Sequence, residues 1–345
     1  MIKIKTALIS VWDKTGIVDF AKFLCENNIK IISTGGTKEI LDKNNILVTS
    51  ISEITKQDEI MDGRVKTLHP KIFGGILADR VNENHLNDLH KIGGETIDIV
   101  IINLYPFKSR AVEKKLKFSK AIEYIDIGGP SMLRAAAKNY KNVICLSDSS
   151  QYNSFINLFN KYSGNILDKH RLDYAKKVFQ LTSDYDSQIF NYFNKTQDNK
   201  LILNLSKIND MRYGENPHQR ASFYLPENEN KNWKKLHGKS LSYNNYFDIE
   251  TGISIVSEFT DLACVIIKHS NPCGFAIGNN LKNTYLSAIS TDPISYFGGV
   301  VGFNKSIDKE VASELTRSFL ECIVAPSFTD DALAILTKKK NLRLI

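Results

Sequence analysis

The sequence predicts an α/β protein whose N-terminal half is a doubly wound, mostly parallel sheet. Three observations carry this reading. Short β-like apolar runs alternate with segments of helical periodicity from the N-terminus to about residue 147. The run "IDIVIINLYPF" (97–107) contains the unbroken apolar stretch 99–102, the mark of a strand buried on both faces. Polar, Gly-containing turns stand repeatedly between the strand-like and helical segments, as in chains of βα units.

In chain order, "KTALISVW" (5–12) reads as the first strand and "DKTGIVDFAKFLCEN" as the helix after it. "IKIIS" is a second strand, "TGGTKEILDKNN" a glycine turn opening a helix, and "ILVTSI" a third strand. The 97–107 strand follows, then "IDIGGPSMLRAAAKN", a helix opened at a GGP turn with Pro130 suited to the first helical position, and "KNVICLS" as the closing strand. Residues 150–196 read as mostly helical. The polar segment "NKTQDNK" (194–200) is the expected domain boundary, giving domains at 1–196 and 200–345. In the second, "ACVIIKHS" (263–270) and "GGVVGFN" (298–304) read as strands and 308–321 as a helix. The final "NLRLI" reads as the start of another strand.

A chain of 345 residues favours two domains, and 42% apolar with 24% charged residues is an ordinary soluble composition. The net charge of +7 suits an anionic ligand but is too diffuse to indicate nucleic acid. Five widely spaced cysteines without a CxxC pair support neither a disulfide framework nor a cysteine zinc site, so a reducing cytoplasm is expected. No run is long enough for a signal-peptide core or a membrane span.

Ligands of open α/β sheets sit outside the carboxyl ends of the strands. Four turns fall there: "SVWDKTG" (10–16), "STGGT" (33–37), "NLYPF" (103–107) and "DIGGPS" (126–131). In "STGGT", Ser33, Thr34 and Thr37 offer hydroxyls, and Gly35 and Gly36 let backbone N–H groups approach an anion at a helix start. An ordinary αβ loop explains that turn alone equally well. The segment "MDGRVKTLHPKIFGG" (61–75) adds Arg64, Lys66, His69 and Lys71 within eight residues. Taken singly, Lys66 reads as solvated, Tyr105 as core, Asp126 as a helix cap and Lys138 as a surface lysine. Together, Arg64 offers a bidentate phosphate fork with a compact charge, Lys66, beside it.

The G-x-G-x-x-G fingerprint is absent, and "HGKS" (237–240) fails as a Walker A loop because Trp233 stands where its first glycine belongs. In the second half, "KHSNPCG" (268–274) follows a strand and puts Lys268 beside His269, a cation for an oxyanion and a general base. It lacks the glutamate and second cysteine of a zinc deaminase, so no metal site is expected. "RYGENPHQR" (212–220) suits an anion-binding loop.

These segments, with "LSYNN", "DPISYFGGVVGFN" and "IVAP", run in one order along the chain, and in that order they resemble the bifunctional purine-biosynthesis enzymes AICAR transformylase/IMP cyclohydrolase. The resemblance implies a methylglyoxal-synthase-like cyclohydrolase domain followed by a cytidine-deaminase-like α/β transformylase domain. Family members continue well beyond Ile345, so the second domain is expected to be only the N-terminal part of a transformylase, and the cyclohydrolase to be the complete one. The first activity closes formyl-AICAR to IMP with loss of water and without a cofactor. The second moves a formyl group from 10-formyltetrahydrofolate, a co-substrate, to AICAR. Carried over by position, Ser10, Lys14, Ser33, Gly36, Thr37, Arg64, Thr67, Asn103 and Gly128 would hold the first nucleotide. Lys66, Tyr105, Asp126 and Lys138 would be its catalytic group. Lys268 and His269 would catalyse transfer, with Arg212, Tyr213 and Asn245 contacting AICAR. The resemblance also implies a cytoplasmic homodimer acting on small nucleotides, with neither nucleic acid nor membrane as partner. The rival readings are a non-catalytic nucleotide-sensing regulator on the same domain and a nucleic-acid binder using the 61–75 loop.

Overall fold

The computed structural model describes residues 3–61, 63–194, 202–226, 229 and 231–345. The chain forms two compact units, Met1–Ile202 and Leu203–Ile345. The expected boundary segment 194–200 lies, apart from Asn194, outside the described residues.

The first unit is built on five parallel strands, β1 (Thr6–Val11), β2 (Lys30–Ser33), β3 (Thr49–Ser50), β4 (Ile99–Asn103) and β5 (Ile144–Leu146), in the order β3-β2-β1-β4-β5. Leu8 in the central strand pairs with Ile32 on one side and Val100 on the other. Consecutive residues of β1 and β4 are buried, as a sheet covered on both faces requires. The covering helices are α1 (Ile17–Glu26), α2 (Gly35–Lys43), α3 (Ile51–Thr55), α4 (Pro70–Leu77), α5 (Glu83–Lys91), α6 (Phe118–Ala121), α7 (Gly128–Lys138), α8 (Gln151–Lys161) and α9 (Asp168–Phe193). Helix α1 buries Ile17, Phe20, Ala21 and Leu24, the positions of one helical face. Phe20 stacks on Tyr152 at 4.4 Å and meets Phe155 edge-on, tying α1 to α8.

Two expectations shift. The third strand shrinks to two residues, because Ser50 ends it by capping α3 in a reciprocal box with Glu53. Pro130 takes the third rather than the first position of α7, where its missing N–H still costs no helical bond.

The second unit holds a hairpin of β6 (Leu205–Asp210) and β7 (Ser222–Pro226) and a mixed sheet of β8 (Leu262–Lys268), β9 (Asn271–Gly278), β10 (Val300–Phe303), β11 (Cys322–Val324) and β12 (Arg343–Leu344). The order is β12-β11-β10-β8-β9, with β8 antiparallel to both neighbours and the other pairs parallel. Strand alternation sorts the cores. Cys264 and Ile266 join the cluster under α11 (Leu281–Thr291), α12 (Lys309–Leu315) and α13 (Asp330–Leu336), while Val265 and Ile267 pack with Ile249 and Val256 of α10 (Tyr243–Ser257). The helix expected over 308–321 stops at Leu315, since Leu320 turns into the core and Cys322 starts β11. Among the described residues, no helix is long and apolar enough to cross a membrane.

Candidate active site

In a sheet of order β3-β2-β1-β4-β5 the chain reverses its winding between β1 and β4, and the carboxyl ends there flank a crevice. A cavity of about 700 Å³ occupies that place. All four turns singled out by sequence contribute to its wall, together with the 61–75 loop.

The floor of the cavity is set by hydrogen bonds that fix the turns. The Asn103 amide clamps the β1 turn: its Oδ1 accepts the Trp12 and Asp13 N–H groups, and its Nδ2 donates to Asp13 O at 2.8 Å. Thr37, buried in the first turn of α2, donates to Val11 O at 3.0 Å and accepts from Val11 N–H at 3.1 Å. Lys14 donates from Nζ to Val11 O and to Thr37 Oγ1 at 3.2 Å, so its ammonium is held at the start of α2. Burial pushes this ammonium below the ordinary lysine range.

Two helix N-termini open onto the cavity, that of α2 through Gly35 and Gly36 and that of α7 through Gly128 and Gly129. A Cβ on Gly36 would meet nothing within 4 Å, so the space beside its Cα is open. Each terminus presents the positive end of a helix dipole; α2 offers the free N–H groups of its first turn, whereas at α7 the Gly129 N–H is taken by Asp126. A Cβ on Gly128 would lie 2.9 Å from Thr67 Oγ1, which packs the 61–75 loop directly onto α7.

Lys66 reaches into this space over Gly63, whose φ of +82° and bare Cα admit the lysine stem: a Cβ there would fall 2.6 Å from Lys66 Cε. Its Nζ pairs with Glu59 Oε2 at 2.6 Å, and the side chain keeps 32% of its surface open. Arg64 pairs with Glu123 from the far wall. Tyr105, expected among core aromatics, is 43% exposed and packs at 4.7 Å against Trp12, itself 39% exposed. Asp126 is half-buried. Burial raises its carboxyl above the usual carboxylate range, against the Gly129 and Tyr105 N–H groups that draw it down. Its Oδ1 accepts from Gly129 N–H at 2.8 Å, and its own N–H donates to the Tyr185 hydroxyl at 2.8 Å. Asp126 therefore does cap α7, as its position ahead of the GGP turn indicated, and faces the cavity as well.

Of the residues expected in the first site, Ser10, Lys14, Gly36, Thr37, Arg64, Lys66, Thr67, Asn103, Tyr105, Asp126 and Gly128 line the one cavity. Two do not. Ser33 is fully buried and spends its hydroxyl on Ile9 O at 2.7 Å. Lys138 is exposed in the last turn of α7, about 15 Å along the axis from the helix start at 1.5 Å per residue. His69 and Lys71 shape the loop: the imidazole Nδ1 caps α4 through Lys71 N–H, and Lys71 Nζ donates to Ile54 O. Trp12, Glu59 and Glu123 were not singled out by sequence. Trp12 lies inside a motif that could have flagged it; the two glutamates carry no local signal.

In the second unit, Lys268 ends β8 and His269 begins the turn into β9, so "KHSNPCG" is a hairpin rather than a strand end. Pro272 is tolerated because β9 is the edge strand. Lys268 Nζ donates to Phe297 O at 2.9 Å, and the His269 side chain is exposed. The Arg212 guanidinium lies 5.3 Å from the Tyr213 ring centroid. Asn245 is buried and caps α10 reciprocally with Ser242. Among the described residues no group of His, Cys, Asp or Glu could hold a metal ion.

An MGS-like domain family matches residues 16–131, and the AICARFT/IMPCHase bienzyme family matches residues 136–345. The bifunctional purine biosynthesis protein PurH of Fusobacterium nucleatum subsp. nucleatum is 51% identical over 346 residues, covering 99% of this chain and 68% of its own length. Its counterpart from Clostridium botulinum strain 657 is 49% identical over 347 residues, covering 99% and 69%. The crystal structure of ForH superposes with a TM-score of 0.50 and 32% identity over 55% of this chain and 97% of that one. On the strength of these matches, the chain belongs to the AICARFT/IMPCHase bienzyme family.

Proposed function

We propose that the first unit carries the ring closure of this purine-biosynthesis enzyme and the second the formyl transfer, each through the residues named above. Membership of the family makes the chain a bifunctional enzyme, an IMP cyclohydrolase that needs no cofactor and an AICAR transformylase that takes its formyl group from 10-formyltetrahydrofolate. The comparisons lend nothing to the rival reading as a nucleotide-sensing regulator.

The observation that carries the assignment is the convergence of Lys66, Tyr105 and Asp126 on one cavity with two helix N-termini. The phosphate of formyl-AICAR sits at the start of α2, on the Gly35 and Gly36 N–H groups with Lys14, Ser10 and Thr37 around it. Arg64, Thr67, Asn103 and Gly128 frame the rest of the nucleotide. As the carboxamide nitrogen attacks the formyl carbon, negative charge grows on the formyl oxygen, and the Lys66 ammonium stabilises it. The oxygen then leaves as water. Asp126, its carboxyl raised by burial, is suited to accepting and returning the protons of attack and dehydration, with Tyr105 beside it. Ser33 supports this floor from within the sheet.

Lys138 enters the proposal with the homodimer. Its place at the far end of α7 puts it off the wall of its own cavity, so it serves a site only if a second copy brings it there. In the second unit Lys268 supplies positive charge and His269 takes the amine proton. Arg212, Tyr213 and Asn245 contact AICAR, the last through the part of its amide that the α10 cap leaves over.

The test follows IMP formation from formyl-AICAR, then separately from AICAR with 10-formyltetrahydrofolate. Turnover in both assays is expected. Absence of the first defeats the cyclohydrolase assignment, and absence of the second defeats the transformylase assignment.

A further inference from the structure

The two-residue turn between β8 and β9 is unusual in what it contains. Lys268 pairs with Asn271 across the hairpin, so His269 and Ser270 are its central residues, with φ of 54° and 61°. Positive φ at both positions defines the turn that follows a hairpin's twist, and its usual occupants are Asn-Gly or Gly-Gly. Histidine and serine have no such freedom, since the left-handed region crowds the Cβ of an L-residue. A turn of this composition persists only if its surroundings hold it.

The surroundings do hold it. Ser270 N–H donates to Asp248 Oδ1 at 2.7 Å, Asn271 Nδ2 donates to His269 O at 2.9 Å, and Lys268 Nζ donates to Phe297 O at 2.9 Å. The Asn271 bond lies within the hairpin and the Lys268 bond ties the end of β8 to the Phe297 carbonyl, whereas Asp248 reaches in from α10 to the turn itself. That helix is itself fixed, at its start by the Ser242–Asn245 box and next to Asp248 by Ile249, which is fully buried against β8.

We propose that Asp248 is a positioning residue for formyl transfer, which clamps the left-handed His269–Ser270 turn and so aims the His269 imidazole. The proposal rests on the reading of Lys268 and His269 as the transfer pair. A side chain set on a packed helix is the right support for a group whose angle must be kept, because a displacement of about 1 Å at a reacting centre is enough to cost about 10²-fold in rate. Asp248 touches no substrate in this scheme and acts only through the turn.

Asp248→Ala and Asp248→Asn in the full chain test it, the second because the amide oxygen can still accept from Ser270 N–H. Ring closure in the first unit and cooperative thermal unfolding report that each variant is folded. For Asp248→Ala the expected transfer kcat falls about 10²-fold with KM for AICAR nearly unchanged, and Asp248→Asn recovers most of the loss. A kcat for Asp248→Ala within about threefold of the unsubstituted protein overturns the proposal, as does an Asp248→Asn variant no better than the alanine. Exchange of the Ser270 amide supplies a reading independent of turnover: it is protected in the unsubstituted protein and in Asp248→Asn and fast in Asp248→Ala. If the unsubstituted protein transfers no formyl group, the transfer reading fails on its own, while equal exchange in all three proteins shows that the clamp does not exist.

Discussion

Replacing Lys66 by methionine keeps the length and apolar stem of the side chain and removes only its charge. The ammonium stands over Gly63, paired with Glu59 Oε2 at 2.6 Å, and about a third of the side chain is open. An ion pair this exposed is worth at most about 1 kcal/mol, and in a unit of this size 1 kcal/mol moves Tm by only about 2–4 °C. Catalysis is affected on another scale. Removing one preorganised donor from a developing oxyanion costs about 10²–10³ in kcat, about 2.7–4 kcal/mol. Because the formyl oxygen carries little charge before attack, the loss falls on kcat and leaves KM for formyl-AICAR nearly constant. The assay is steady-state IMP formation from formyl-AICAR, with a thermal melt alongside. A kcat within about threefold of the unsubstituted enzyme, or a rise in KM at constant kcat, refutes the assignment. Gly63→Ala provides a companion that retains the charge: its Cβ would sit 2.8 Å from Lys66 Nζ at a φ of +82°, so the ammonium must move and kcat falls.

Three further outcomes are expected. Asp126→Asn keeps the oxygen that accepts from Gly129 and abolishes most ring closure, yet stabilises the fold at neutral pH. Burial raises the folded carboxyl above the ordinary carboxylate range, so the native protein loses stability as pH rises from the unfolded value to the raised folded one, and the Tm advantage of the asparagine vanishes as pH falls back below the unfolded value. Ser33→Ala, which removes a buried hydroxyl from Ile9 O, lowers stability by about 1 kcal/mol without weakening formyl-AICAR binding; a large rise in KM shows instead that Ser33 touches the nucleotide. Mixing dimers of Lys66→Met and Lys138→Met restores ring closure to about a quarter of the sites, one intact site in each mixed dimer, if Lys138 acts across a twofold interface; a mixture as inactive as its parents argues for action within one chain.

Much of this architecture is local and therefore legible. Apolar runs placed β1 and β4, and glycines marked the turns where α2 and α7 begin. What escaped was contact between residues distant in sequence. Arg64 finds Glu123 at a separation of 59, and Asn103 grips a turn 90 residues away, so a motif that names Asn103 as a nucleotide contact gives no hint of the clamp. Strand β9 was missed because Pro272 reads as a breaker, which holds for interior strands and not for an edge. Helix α10 was missed because Ile249 and Val256 face the core while Phe247 stays exposed, blurring the stripe. Lys138 belongs to the same motif as Gly128, and helical rise alone carries the two to opposite ends of α7.

A crystal structure of the chain with IMP would locate the nucleotide outright. The phosphate is expected on the Gly35 and Gly36 N–H groups beside Lys14, and the newly closed ring within hydrogen-bond reach of Lys66 and Asp126. IMP bound away from the carboxyl ends of β1 and β4, or turned with its base at α2 and its phosphate at Asp126, contradicts that placement.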